Sequence, residues 1–342
     1  MEFAPKQNIM TIRPILATIV AASFILSSCS KSHVSTNPVT KQTACAEEVK
    51  THKTAGRISG ATMLAAPIAE AKIYKLLQGY NSSDDFEASG VYYLGGYFYV
   101  AFDNRYKIGK IKSTLPINSS DNSLLSTGSG SSNFEGITYD NNGTPNFFVV
   151  EECVHNGSVY QPRVREYDAS MNYQSDKWVD YYFTSATNNK AFEGIAWVYR
   201  GGEDYLLGLV EGTGKIAVVK KTSGHWILVD SITLPSSVTF TDYSDICVYG
   251  TKVAITSQED GQLWIGTLSS TSWTITGGTA YEFPHGSSTG VVGAGTYQLY
   301  GNIEGISFIS ATQIVVVSDK ADASQPAYQT YKEQSIHIFN IP

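Results

Sequence analysis

Charged residues are scarce in this sequence. Asp, Glu, Lys and Arg make up 16% of its 342 residues, whereas a typical soluble domain has about 25%. Glycine, tyrosine and small polar residues take their place, and the chain contains 30 glycines and 22 tyrosines. This composition is typical of an exported protein rich in β-strands and turns. It argues against a coiled coil, and the 42% of hydrophobic residues argue against a disordered chain.

Positive charge is scarcer than negative charge, and the formal net charge is −7. Because few basic residues are left to neutralise phosphates, nucleic-acid binding is not expected. Residues 1–69 are net positive, so residues 70–342 are more acidic than the chain as a whole. An acidic domain of this kind favours a cation or a polyhydroxylated ligand over an anionic polymer.

Cysteine is rare as well, with four residues in the whole chain and no Cys-x-x-Cys pair. Zinc ribbons, thioredoxin-like redox motifs and c-type haem attachment are therefore unsupported. Cys29 and Cys45 precede the acidic part of the chain, and Cys153 and Cys247 lie within it. The last two could pair in an exported protein, but two buried thiols are the simpler expectation.

The only extended apolar run near the N-terminus covers residues 15–26 and follows Lys6 and Arg13. It is too short to span a bilayer, which takes about 20 residues, but it suits the core of a signal peptide. The run ends in a leucine, two serines and Cys29. This ending resembles the lipobox of bacterial lipoproteins, although an ordinary secretory signal is the alternative.

The resemblance to a lipobox implies a lipid anchor on Cys29 and a place in the bacterial cell envelope. Ser30 follows the cysteine, and the absence of an Asp there favours the outer membrane over the inner membrane. We expect a signal peptide at 1–28, a flexible tether at 29–69 and a folded domain at 70–342. The tether is rich in Ser, Thr, Lys and Ala and has no sustained periodicity.

An internal repeat is the most informative feature of the folded domain. An apolar or aromatic residue, an acid, a small residue and a branched aliphatic residue recur five times. The acids of the five copies are Glu87, Glu135, Glu193, Asp245 and Glu304. The first copy inserts two residues before its glycine, and the fourth has no glycine after its acid. A period of roughly 50 residues with only strand signals inside it predicts an all-β propeller of four-stranded antiparallel blades.

The number of blades depends on how the ring closes. The residues after Glu304 suffice for only three strands, and the segment 71–77 would supply the fourth from the N-terminal side. Such a closure hides two sheet edges that would otherwise be exposed. We therefore expect a single propeller of five blades. Six blades are the alternative, because residues 269–301 could contain a degenerate blade.

Each of these acids opens the innermost strand of its blade, so together they should form a ring at one mouth of the central channel. A second acidic set stands where the next strand ends. Its members are Asp103, Glu151 or Glu152, Glu211, Glu259 and Asp319. Carboxylates without His or Cys favour calcium, with magnesium less suitable because it demands tighter geometry. Alternatively, the acids accept hydrogen bonds from backbone N–H groups and connect neighbouring blades.

The repeat resembles a known group of proteins. The Glu-Gly-Ile motifs, the divergent first copy Glu87-Ala88-Ser89-Gly90-Val91 and the late Ser318-Asp319-Lys320 look like the SdiA-regulated family of bacterial propellers. They are similar, more distantly, to the phytase-like and esterase-like propellers. The resemblance covers residues 70–342 and implies a propeller, export or membrane attachment, and metal binding at the channel. It implies no established reaction.

Two functions are compatible with these features. One is a monomeric, calcium-holding module that binds a small molecule or a protein on one face of the propeller. The other is a metal-dependent hydrolase of phosphoesters, in which bound cations activate water. A phosphate would also need basic partners, and the candidates near the acids are Arg105, Lys107, Lys190, Lys215 and Lys320.

Overall fold

The computed structural model describes residues 56–128, 132–183 and 191–342. Most of its strands form five antiparallel groups of four, one for each blade, arranged in a ring. The protein is a five-bladed β-propeller, and the predicted fold is confirmed. The alternative of six blades is wrong, because residues 269–301 hold only the last strand of a blade and a hairpin of two-residue strands.

The strands follow one another blade by blade along the chain. The N-terminal elements are β1 (Thr62–Met63), β2 (Ala69–Lys72) and the one-turn helix α1 (Ile73–Leu76). Blade 1 contains β3 (Ala88–Leu94), β4 (Tyr97–Phe102), β5 (Lys107–Lys112) and β6 (Ser123–Ser126). Blade 2 contains β7 (Phe134–Asp140), β8 (Asn146–Asn156), β9 (Val159–Asp168) and β10 (Tyr173–Trp178).

The remaining blades continue in the same order. Blade 3 contains β11 (Phe192–Arg200), β12 (Glu203–Val210), β13 (Ile216–Lys221) and β14 (Trp226–Ile232). Blade 4 contains β15 (Asp245–Tyr249), β16 (Lys252–Ser257), β17 (Gln262–Leu268) and β18 (Ile275–Glu282). A hairpin of β19 (His285–Gly286) and β20 (Tyr297–Gln298) follows. Blade 5 contains β21 (Ile303–Ser310), β22 (Gln313–Ser318), β23 (Ser335–Asn340) and the N-terminal β2.

The hydrophobic core lies between the blades. Each strand presents alternate residues to the blades on its two sides. In β4, for example, Phe98 and Val100 pack toward blade 5, whereas Tyr99 and Ala101 pack toward blade 2. Five clusters of buried apolar side chains fill the spaces between successive blades. The first strands of the blades lie innermost and contact one another around the axis.

Strand β2 closes the ring by pairing antiparallel with β23. The prediction placed this strand at 71–77, but residues 73–76 form α1 instead. The reason is packing, because Ile73, Leu76 and Leu77 are all buried in the cluster between blades 5 and 1. A helical turn lets Ile73 and Leu76 face the same side, which alternation along a strand would not allow.

Part of the segment expected to be a tether also contacts the propeller. Strand β1 pairs in parallel with β18 at the edge of blade 4. The side chain of Gln262 accepts a hydrogen bond from the N–H of Ile58 at 2.8 Å and donates one to its carbonyl oxygen at 3.1 Å. The proposed signal peptide and lipidation residue Cys29 lie outside the described residues.

A partly buried polar cluster reinforces the closure. Glu70 of β2 lies opposite His337 of β23, and its carboxylate accepts hydrogen bonds from His337 Nδ1 at 2.9 Å and from the Tyr300 hydroxyl at 3.2 Å. Lys332 Nζ forms an ion pair with the same carboxylate. Burial alone would raise the pKa of Glu70, but the hydrogen bonds and the positive charge outweigh it and lower the pKa to about 2.

We therefore predict that Glu70→Gln destabilises the domain near neutral pH by about 1 to 2 kcal/mol, since charged hydrogen bonds are lost. The stabilisation by Glu70 is present above its ordinary pKa of 4.5 and is lost as the pH falls toward about 2. Thermal unfolding of both proteins at several pH values checks this. Glu203→Gln, which removes an exposed ion pair with Lys220, is the control and should change little. Equal stability of Glu70→Gln and the parent chain near pH 7 would contradict the account.

Candidate functional site

The inner strands of four blades begin with an irregularity in their pairing. The pairing shifts between Ala88 and Gly90 in β3, and at the corresponding positions of β7, β11 and β21. A β-bulge of this kind turns one side chain out of the regular sheet pattern. The residues at the bulges and at the matching position of blade 4 are Ser89, Glu135, Glu193, Ser244 and Glu304. All five line a cavity on the propeller axis.

The next residue of each inner strand is the point of closest approach between blades. A Cβ on Gly136 would lie 2.5 Å from the backbone nitrogen of Ile195, and one on Gly90 would lie 2.3 Å from the carbonyl oxygen of Glu135. No side chain fits at such distances, so glycine is required there. We call this ring the collar; its members are Gly90, Gly136, Gly194, Asp245 and Gly305.

Asp245 is the exception in the collar. Its carboxylate accepts hydrogen bonds from the N–H of Ile246 at 2.7 Å and from the N–H of Ile306, in blade 5, at 2.8 Å. It does not line the cavity that holds Glu135, Glu193 and Glu304. The acid of the fourth repeat copy is therefore a connection between blades 4 and 5, which is the alternative that the sequence left open.

The cavity on the axis has a volume of about 110 Å³, which is room for several water molecules. Among the described residues, its lining contains seven acids and no Lys, Arg or His. The acids are Asp103, Glu135, Glu193, Glu211, Asp242, Glu304 and Asp319. Ser89, Ser244 and Gln258 complete the lining. We call this space the acidic cavity.

The second acidic set occupies one equivalent position in four blades. Backbone N–H groups of these residues donate to the start of the inner strand of the same blade, as in Asp103 to Glu87 at 2.9 Å and Asp319 to Asn302 at 2.8 Å. Glu211 makes the same bond. In blade 2 the equivalent residue is Glu152, whose N–H donates to Asn133 at 3.2 Å.

Glu151, the other candidate of blade 2, belongs to a different cluster. Its carboxylate pairs with Arg163 and Arg165 and accepts a hydrogen bond from the Tyr106 hydroxyl at 2.9 Å. Two arginines therefore neutralise this buried acid away from the acidic cavity. Glu152 Oε1 instead accepts the backbone N–H of Ala191 in blade 3 at 2.7 Å.

Blade 4 contributes an acid that the repeat pattern did not identify. Asp242 lines the acidic cavity and accepts hydrogen bonds from the Ser257 hydroxyl and from the N–H groups of Gln258 and Glu259. Gln258 rather than the predicted Glu259 lines the cavity in this blade. The sequence could have identified Asp242, because this acid stands two residues before Ser244 and an acid stands at the same distance before Ser89 in blade 1.

Blade 1, like blade 4, has an acid two residues before the serine that lines the cavity. Glu87 stands two residues before the bulge residue Ser89, just as Asp242 precedes Ser244. Glu87 is not part of the cavity lining, but its charge helps to raise the pKa of Asp103 and of Asp319. Both blades thus have an acid two residues before the serine, but only Asp242 lines the cavity, and blade 1 contributes Asp103 instead.

The electrostatics of the acidic cavity oppose ionisation of its acids. Burial, followed by repulsion from neighbouring carboxylates, raises the pKa values of Glu135, Glu193 and Glu304 well above their usual range. Burial is also the main cause that raises the pKa of Asp319 to about 7 and those of Asp103 and Asp242 to about 6. The cavity therefore needs protons or a cation to offset the repulsion.

Glu193 has an oxygen atom without a partner. The side chain is 7% exposed, and no described residue donates a hydrogen bond to its Oε1 atom. A buried carboxylate oxygen in this state is costly unless a proton or a cation meets it. Within the described residues, however, no three His, Cys, Asp or Glu side chains already have the arrangement of a metal site. A cation would need ligands besides these side chains as they stand, such as water.

Other motifs of the described residues do not form a site. Residues 286–290 match Gly-x-Ser-x-Gly, but they begin at the last residue of β19 and continue into the following loop, and they do not form the strand-to-helix turn of a serine hydrolase. Cys153 and Cys247 do not form a disulfide with each other. No helix in the described part of the chain is long and apolar enough to cross a membrane.

In the absence of a divalent cation, we predict that the domain becomes less stable as the pH rises from about 4.5 to 8. The pKa values of Asp103, Asp242 and Asp319 lie above the ordinary 3.8. The folded state therefore holds extra protons in this window, and the stability they provide is lost as the pH passes the raised pKa values. Thermal unfolding in EDTA measures this. Asp319→Asn should flatten the decline of the unfolding midpoint near pH 7. The control Asp121→Asn, at an exposed site, should leave that decline unchanged. An unfolding midpoint of the parent chain that rises with pH over this window would contradict the account.

Comparisons with known proteins do not single out a function for this chain. No protein-family model matches the sequence, and no curated protein matches it. Among solved structures, the PQQ-bound aldose sugar dehydrogenase of Streptomyces coelicolor aligns with 80% of this chain and 100% of its own, at 10% identity and a TM-score of 0.39. A streptogramin B lyase aligns with 80% of this chain and 97% of its own, at 11% identity and a TM-score of 0.38. The Cps50 (Swd1) β-propeller domain of Myceliophteria thermophila aligns with 80% of this chain and 100% of its own, at 9% identity and a TM-score of 0.39.

Proposed function

We propose that the acidic cavity binds a divalent cation, with calcium as the natural ion, and that the protein is a binding module held together by this ion. The observation that carries the proposal is the buried Glu193 Oε1 atom, which lacks a donor among the described residues and belongs to a side chain lining the acidic cavity. The charges of Glu135, Glu211 and Glu304 act on the same side chain. A cation in the cavity would offset all of these repulsions together.

The donor set supports calcium in particular. The lining offers carboxylates, the hydroxyls of Ser89 and Ser244 and the amide of Gln258, and every one of these groups presents oxygen. Calcium accepts six to eight oxygen ligands in flexible geometry and tolerates water among them. Magnesium requires a nearly ideal octahedron, which suits an irregular ring of this kind less well.

A cation at this place would connect the whole ring. The lining residues come from all five blades, with Asp103 in blade 1, Glu135 in blade 2, Glu193 in blade 3, Asp242 in blade 4 and Glu304 in blade 5. An ion that binds only the folded state stabilises that state by mass action. The proposed role of the ion is therefore to hold the blades in one fixed arrangement that presents a binding face.

The composition of the cavity lining favours a binding module over a phosphoesterase. A phosphate group would meet carboxylates and, in the described part of the chain, no basic residue in the lining. Two basic candidates have other contacts, since Lys320 pairs with Asp85 at 2.8 Å and Arg105 lies 4.4 Å above the ring of Phe86. Lys190 lies outside the described residues.

The cellular setting is also part of the proposal. The lipobox-like ending at Cys29 supports a lipid anchor, and the outer membrane remains the favoured location. The resemblance to the SdiA-regulated family supports the same setting. In this setting the segment before the propeller connects the anchor to the domain, and the monomeric propeller presents its faces to ligands in the cell envelope.

We predict that calcium stabilises the protein against heat. At a calcium concentration about a hundredfold above the dissociation constant, the gain should be roughly 2.7 kcal/mol. The double variant Glu135→Gln/Glu193→Gln keeps the shape of the cavity but removes two charges, so this gain should disappear. Its stability in EDTA should equal or exceed that of the parent chain, because repulsion is relieved. Thermal unfolding in EDTA and in calcium measures both effects.

The control for this experiment removes the same charge elsewhere. Asp121→Asn/Glu203→Gln changes two exposed acids that pair with surface lysines, and it should keep the full calcium effect. If calcium leaves the parent chain unchanged, and the cavity variant is less stable under all conditions, the acids only connect the blades. That result would refute the cation site.

A further inference from the structure

A second, larger cavity lies at the other end of the inner strands. These strands begin at the acidic cavity, pass the collar and end in the walls and rim of this second space, whose volume is about 530 Å³. Small-molecule sites in proteins have volumes of about 300 to 1,000 Å³. At the base are Ile137, Ile195, Ile246 and Ile306, each directly after a collar residue.

Aromatic side chains dominate the walls and the rim. We call this space the aromatic funnel, after its lining residues Tyr92, Tyr93, Tyr139, Trp197, Tyr199, Tyr249 and Phe308. Four of them stand three residues after a collar glycine, namely Tyr93, Tyr139, Trp197 and Phe308. Because the position recurs from blade to blade, the fold repeats an aromatic wall around the axis.

Several of these rings already pack against one another. Tyr92 and Tyr139 have centroids 6.1 Å apart across blades 1 and 2, and Tyr249 and Phe308 have centroids 5.8 Å apart across blades 4 and 5. At the rim, however, Tyr199 and Tyr249 are each 46% exposed. Large aromatic surface left open in a concave site is typical of a place where a ligand binds.

The aromatic funnel carries no charge at physiological pH. None of the described residues that line it is Asp, Glu, Lys, Arg or His, although the chain as a whole has a net charge of −7. Burial raises the pKa of Tyr92 to about 12 and that of the Cys247 thiol well above its usual range, so both stay neutral. A charged ligand would lose its hydration there without gaining an opposite charge.

The serine and threonine hydroxyl groups in the walls are already engaged in structure. Thr138 Oγ1 accepts the backbone N–H of Trp197 at 3.0 Å, and Ser307 Oγ accepts that of Tyr93 at 3.1 Å. Each bond joins two different blades. A sugar would need many polar partners to replace its water, and the side chains left to supply them are chiefly the tyrosine hydroxyls and the amide of Asn141. The lining therefore favours an apolar ring over a carbohydrate.

We propose that the aromatic funnel binds a neutral small molecule with a flat, apolar ring system. Rings of such a ligand would stack on the tyrosines and on Trp197, which contributes more than burial of area alone. This site lies beyond the collar from the acidic cavity and does not depend on a bound cation. The protein would then present its ligand site on one face and its ion site on the other.

A pair of dyes that differ in one charged group tests this proposal. N-phenyl-1-naphthylamine is neutral, and 1-anilinonaphthalene-8-sulfonate is the same ring system with a sulfonate. The full chain, produced without lipidation, should bind the neutral dye in a saturable way in fluorescence titrations, and it should bind the sulfonate at least about tenfold more weakly. Tyr199→Ser/Tyr249→Ser should weaken binding of the neutral dye about tenfold, through the loss of two ring contacts.

Two further variants make the test decisive. Tyr199→Phe/Tyr249→Phe keeps both rings and should bind the neutral dye as well as the parent chain does. Tyr182→Ser/Tyr331→Ser removes two exposed tyrosines outside the funnel and should leave binding unchanged. Thermal unfolding establishes that each variant is folded. Absence of saturable binding, equal binding of the two dyes, or equal losses in the funnel and control variants would each overturn the proposal.

Discussion

The close approach of the five inner strands is the constraint on which the rest of this structure depends. At the collar there is no room for a Cβ in four blades, so the chain must use glycine at those positions. The residue before each of these glycines sits in a bulge, and its side chain is turned toward the axis. Packing of the backbone therefore gathers Glu135, Glu193 and Glu304 in one small cavity.

The same constraint explains why blade 4 differs. Asp245 occupies the collar position, and its carboxylate binds two backbone N–H groups, one of them in blade 5. This blade supplies the acidic cavity from Asp242 instead. One acid thus connects blades while another faces the cavity, so the two placements occur at different positions of the same blade.

The sequence predicts the architecture better than it predicts the site. The spacing of the Glu-Gly-Ile copies was enough for five blades and for closure from the N-terminal side. The positions of the acids predicted the cavity lining less reliably. The bulge shifts the pairing of the inner strand by one residue, and the amino-acid composition does not reveal this shift. Aligning the glycines instead would have placed Ser89 beside Glu135 and drawn attention to Asp242. The partners of Glu70 were also beyond prediction, since Lys332 and His337 lie at the far end of the chain.

Calorimetric titration of calcium in buffers of different ionisation enthalpy tests the central claim most directly. If repulsion and burial keep the acids of the cavity partly protonated near neutral pH, a bound cation must displace those protons. We predict a measurable release of protons with each calcium bound, and its loss in Glu135→Gln/Glu193→Gln. Calcium binding without proton release, or with the same release in that variant, would contradict the account.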